Sequence, residues 1–71
     1  MRIQDADHNE VRVETNVTVC VAHLDGEDRE CLIIDTIKDA FGSWVHVSET
    51  DEEGEPAGIA DWVRADEIVV I

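Results

Sequence analysis

Apolar residues in this chain fall into six short runs separated by polar turns: VRV (11–13), VTVCVAHL (17–24), CLIIDTI (31–37), WVHV (44–47), GIADWV (58–63) and IVVI (68–71). The runs are short and rich in β-branched side chains, which suits half-buried strands. The one helix candidate, Asp61–Glu67, has room for a single turn, and the spacing predicts 3₁₀ geometry there. The pattern therefore predicts an all-β domain of five or six antiparallel strands. The opening MRIQ adds an edge strand, joined to Val11 by the polar loop DADHNE. No internal repeat is visible.

Asp25-Gly26 is the two-residue signature of a type I′ hairpin turn, which needs positive φ at both central positions. With those two residues as the loop, paired positions sum to a constant: Val19 faces Leu32, Val17 faces Ile34 and Cys20 faces Cys31. The first two pairs then build one apolar face, while Cys20, Cys31, Ile33 and Ile37 make the other partly apolar. The cysteines meet at a hydrogen-bonded site, where opposed Cα atoms lie about 5.5 Å apart. Two reduced, partly buried thiols are expected in a cytoplasmic protein, with a disulfide or redox switch and a metal site as the alternatives.

Beyond Ile37 the segment KDAFGS turns the chain, and WVHVS follows with Val45 and Val47 on one face and Trp44 and His46 on the other. ETDEEGEPAG is the most polar stretch of the chain. It reads as a solvated hairpin loop or, functionally, as an anionic finger. It lacks the ligand spacing of a calcium loop.

From Leu32 to Ile71 the succession LIIDTI, KDAFG, WVHV, acidic hairpin, GIADWV, RADE and IVVI resembles the C-terminal part of SH3-like barrels, bacterial ones included. The resemblance implies a small SH3-like barrel over residues 1–71 as a single domain, with residues 1–10 supplying an edge strand and loop. It also implies that the last strand closes the barrel. Relatives that bind proline-rich peptides carry a tryptophan where Trp44 stands, and a proline and tyrosine in and just after the 3₁₀ turn. Here Arg64 and Glu67 stand at about those places, and the chain has no tyrosine. The resemblance thus implies the family's fold without its best-known ligand. Trp44 remains either an exposed contact residue or a cover over one end of the core.

Charge narrows the function further. Eighteen Asp and Glu against five Lys and Arg leave the 71 residues with a net charge of -13. Such a surface repels nucleic acid and anionic membranes and attracts basic proteins. The apolar fraction of 44% is that of a folding domain. The N-terminus has no apolar core of a signal peptide, and no run reaches the roughly 20 apolar residues of a membrane span, so a cytoplasmic protein is expected. The NVT triplet at Asn16–Thr18 matches a glycosylation sequon and is read as chance.

Catalytic signatures are missing. The closest nucleophile constellation is Cys20 or Cys31 with His23 or His46, and neighbouring carboxylates would blunt a thiol there. His8, His23 and His46 have no zinc-ligand spacing, so neither metal nor cofactor is expected. The expectation is a non-catalytic acidic module that docks on a basic partner surface, in its sharpest form as a mimic of nucleic acid. Its acidic contact residues would be Glu49, Asp51, Glu52, Glu53, Glu55, Asp61, Asp66 and Glu67, with Trp44 as the aromatic one. Small acidic inhibitors that imitate DNA, some from phages, share this composition, and so do halophilic proteins. The alternatives are an accessory subunit that docks through an apolar patch or strand edge, and a halophilic domain whose charge serves solvation only.

Overall fold

The computed structural model describes residues 1–71 as seven strands and one 3₁₀ turn. The strands are β1 (Arg2–Gln4), β2 (Glu10–Arg12), β3 (Val19–Leu24), β4 (Glu27–Asp39), β5 (Gly42–Thr50), β6 (Pro56–Arg64) and β7 (Val69–Val70); the turn is Ala65–Glu67. β1 and β2 form a two-stranded antiparallel sheet, and the rest form a five-stranded sheet ordered β6-β5-β4-β3-β7. No helix is long and apolar enough to cross a membrane.

Turn chemistry sets the register. Asp25 (φ 52°) and Gly26 (φ 80°) both take the positive φ of a type I′ turn. β3 and β4 consequently pair as the turn requires, with Val19 opposite Leu32 and Cys20 opposite Cys31. β4 and β5 meet through the two-residue connection Ala40-Phe41, where Asp39 Oδ1 accepts the Phe41 N–H at 2.8 Å. A register shift between Ile33 and Asp35 marks a bulge in β4, which lets so long a strand bend around the core.

The expected pairing of Val17 with Ile34 does not form. Thr18 Oγ1 accepts the Glu14 N–H at 2.7 Å, and Val17 and Thr18 both donate to the Glu14 carbonyl. Asn16 takes φ 64° and donates its N–H to the Ile33 carbonyl. This compact turn delays the start of β3 to Val19, two residues later than expected, and leaves Val17 exposed. The triplet that matched a sequon thus supplies Asn16 and Thr18 to a turn.

Of the hairpin's two apolar faces, the one that carries the cysteines meets the core, although Leu32 on the other is also buried. Cys20, Ala22, Leu24, Cys31 and Ile33 point into the core with Val45, Val47, Ala65 and Ile68. Val19 is only partly buried on the other side, and Ile37 is 48% exposed. The bulge accounts for Ile37: beyond it Thr36 faces the buried Val45, and Ile37 turns outward opposite Trp44.

Six strands at most were expected, and the N-terminal segment accounts for the extra sheet. β1 and β2 pair with each other, and Ile3 and Val13 cover the core from that side. The sheets are tied by the Ala6 N–H, which donates to the Ile68 carbonyl at 2.8 Å. After the 3₁₀ turn the chain returns to β3, with Val70 opposite Cys20 and Val69 opposite Val21. β6 and β7 remain the two edges of the five-stranded sheet and are not hydrogen-bonded to each other. Side chains cover the gap instead: Ile59 and Val63 of β6 pack against the core that Ile68 fills.

Two hairpin loops share one construction. In the first, Asp5 Oδ1 accepts the N–H groups of Asp7 and Asn9, both at 3.0 Å. In the second, Asp51 Oδ1 accepts those of Glu53 at 2.9 Å and Glu55 at 3.0 Å. The fourth position of each loop is left-handed, with His8 at φ 64° and Gly54 at φ 82°. Each loop is wound around a carboxylate, as short Asx turns are.

Candidate protein-docking surface

Cys20 and Cys31 are free thiols buried in the core. Burial pushes the Cys20 thiol up to about 12, and the adjacent Cys31 adds to the shift. Cys31 is also raised, by burial first and then by Glu49, with Arg29 opposing. His23 is exposed and bonds Asp28 at 3.0 Å. His46 sits on the outer side of β5, stacked on Trp62. The sheet therefore separates both imidazoles from both thiols. No group of three or more His, Cys, Asp or Glu side chains is placed to hold a metal ion.

Residues of the acidic stretch have several different surroundings. Glu49 is partly buried, bonds Arg29 Nη1 at 3.2 Å and accepts the Ile59 N–H at 3.1 Å. Arg29 also donates to the Leu24 carbonyl and pairs with Glu27, so Glu49 joins the ends of two hairpins. Asp51 holds its own loop, as described above. Glu52, Glu53 and Glu55 are exposed and have no ionic partner within the chain. Asp61 Oδ1 accepts the Trp62 N–H at 2.8 Å, which occupies a backbone donor on an edge strand. Asp66 pairs with Arg64 at 3.4 Å, and Glu67 is exposed.

Trp44 stands at the other end of the β5–β6 hairpin from that loop. Thr50 lies six positions further along the strand, a rise of about 20 Å. The aromatic residue and the anionic loop picked out in the sequence therefore do not form one compact site. Arg64 pairs opposite Trp44, so Asp66 and Glu67, in the 3₁₀ turn just after it, are the predicted acids that the β5–β6 register brings towards that end.

What does accompany Trp44 is a set of residues brought together by cross-strand register. Ile37, Trp44 and Arg64 oppose one another across β4, β5 and β6, and Asp35, His46 and Trp62 form the adjacent row. All six lie on the outer side of the sheet, since Val45 between Trp44 and His46 points into the core. The Arg64 guanidinium lies 5.5 Å from the Trp44 ring centroid, a cation–π contact. His46 stacks on Trp62 with centroids 4.8 Å apart and planes at 20°. Ile37, Asp39, Trp44 and Trp62 line a shallow groove of about 250 Å³.

Charge on the domain is unevenly neutralised. Every arginine pairs with a carboxylate, Arg2 with Glu10, Arg12 with Glu14, Arg29 with Glu27 and Glu49, and Arg64 with Asp66. Asp35 and Asp39, beside the indoles, bond only to nearby backbone N–H groups. Sequence reading missed these two, together with Trp62, Ile37, His46 and Arg64. Their strand alternation was visible, but the bulge in β4 and the β5–β6 register were not. Comparison with known protein families, with curated proteins and with solved structures finds no match to this chain.

Proposed function

We propose that this domain is a non-catalytic protein-docking module whose contact surface is the outer face of β4, β5 and β6 and whose partner is a basic protein surface. The observation that carries the reading is the placement of two partly exposed indoles, Trp44 and Trp62, on one solvent-facing side of a domain with net charge -13. Apolar and aromatic groups clustered on a surface are a feature of interaction sites, and Trp and Arg are enriched among residues that dominate binding. Arg64 and His46 hold the two rings in place, so little side-chain freedom is lost on docking.

Under this reading the acidic residues divide into two groups. Asp35 and Asp39 flank the indoles and would pair directly with cationic side chains. Glu52, Glu53, Glu55 and Glu67 contribute to the field that steers a basic partner and speeds encounter. Nucleic-acid mimicry is the case in which the partner's basic surface is one that binds phosphates. The fold assignment that goes with this proposal is an SH3-like arrangement. It is supported by the meander from β3 to β6, the 3₁₀ turn after it and a terminal strand that returns to β3.

The test is capture of partners on immobilised chain at about 0.05 M and about 0.3 M salt, where screening differs strongly. Wild-type, Trp44→Ala and the triple Glu52→Gln, Glu53→Gln, Glu55→Gln chain are compared. A partner that binds wild-type, is lost with Trp44→Ala and weakens with salt and with the triple change supports the proposal. If nucleic acid displaces it, the mimic form holds. A partner that ignores Trp44, salt and the acidic loop alike would sink the reading.

A further inference from the structure

The groove beside the indoles is small and has mixed chemistry. At about 250 Å³ it is below the roughly 300–1,000 Å³ of pockets that take a whole small molecule, so its size suits one side chain of a larger partner. Its walls are two indoles and Ile37, with the Asp39 carboxylate at its edge. Asp39 uses Oδ1 to accept the Phe41 N–H, and its charge is not paired with any cation of the chain.

Two aromatic walls and a carboxylate are complementary to a cation with a flat, weakly hydrated face. Arginine fits that description better than lysine, because its guanidinium stacks on rings and donates hydrogen bonds to a carboxylate from the same plane. Within the chain, Arg64 already makes such a contact with Trp44. Neither Arg64 nor His46 lines the groove, which leaves it open to a guanidinium from outside.

We infer that the Ile37–Asp39–Trp44–Trp62 groove is a receptor for an arginine side chain on a basic segment of the partner. The inference rests on the docking reading above and adds the identity of the side chain that is read. The guanidinium stacks against an indole and bonds to Asp39, while its aliphatic stem lies along Ile37.

Alternating glycine–arginine, glycine–lysine and glycine–glutamine peptides, titrated into the ¹⁵N-labelled full chain, test it. The expected result is that the arginine peptide shifts the indole N–H signals of Trp44 and Trp62 and binds roughly tenfold tighter than the lysine peptide. Trp62→Ala and Asp39→Asn should each abolish that preference, and the Asn change keeps the acceptor for Phe41. Backbone spectra that match wild-type away from the groove show that each variant is folded. Equal binding of the arginine and lysine peptides, unaffected by Trp62→Ala, overturns the arginine site and leaves charge-driven docking standing. Failure of both cationic peptides to bind at low salt overturns both.

Discussion

Replacing Ile68 by alanine and, separately, Ile71 by alanine asks whether the tail is part of the core. The two residues stand three positions apart in one aliphatic run, yet Ile68 is 0% exposed within the core cluster and Ile71 is 71% exposed. A buried Ile→Ala change costs about 2–5 kcal/mol, because lost transfer energy and a residual cavity add together. An exposed apolar residue changes stability by less than about 0.5 kcal/mol. A domain of this length has about 4–11 kcal/mol in all, so Ile68→Ala removes a large share and Ile71→Ala almost none. Urea unfolding followed by tryptophan fluorescence and far-ultraviolet circular dichroism reads the difference. With a slope of about 1 kcal/mol/M, the midpoint should fall by about 2–5 M for Ile68→Ala and stay within about 0.5 M for Ile71→Ala. Should the alanine variant be unfolded at the outset, Ile68→Val, at about 0.5–1.5 kcal/mol, keeps the comparison measurable. Equal midpoints for the two positions would refute the claim that Ile68 anchors the C-terminal tail in the core.

Further expectations concern the loops and the thiols. Asp51→Ala should destabilise the domain by about 0.5–2 kcal/mol, as loss of a capping carboxylate does, since two exposed backbone N–H groups must turn to water instead, whereas Glu52→Ala beside it should be neutral; thermal melts of both variants decide. His8→Gly should stabilise by a few tenths of a kcal/mol to about 1 kcal/mol, because His8 holds a positive φ that glycine adopts without strain; a lower melting temperature would contradict the loop assignment. The Cys20 thiol is raised from its usual 9.0 to about 12 in the fold. Folding therefore favours its protonated form. That contribution is fully present below pH 9 and is lost as pH rises from there towards about 12. Cys20→Ala should flatten the loss of stability in that window, as urea midpoints against pH will show, and native protein should react with thiol reagents only as fast as it opens.

How much of this was legible in the chain depended on whether a residue's role was local. Asp25-Gly26 specified its own turn, and the β3–β4 register followed from it. The alternation in WVHV put Val45 and Val47 on one face and Trp44 and His46 on the other, because strand geometry alone decides that, while which face meets the core is set by the fold. Val17 was misread because it looks like a strand residue, and only the bonds of Glu14 and Thr18 show the chain turning there. Ile37 was assigned to the cysteine face because a bulge changes parity and leaves no mark in composition. Asp51 and Glu52 are neighbouring acids in an acidic run. One holds the loop and the other is free, a distinction set by backbone donors that a sequence does not display. Trp62 joins Trp44 only through the β5–β6 pairing, so the docking face could not be assembled from single positions.

The most direct measurement is the affinity of a captured partner for the wild-type chain and for Trp44→Ala across a salt series. The account predicts that affinity falls at least roughly tenfold between about 0.05 M and about 0.3 M salt. It also predicts that Trp44→Ala costs a further factor of about ten or more, as loss of a central aromatic contact does. An affinity that changes with neither salt nor Trp44 would contradict the docking account.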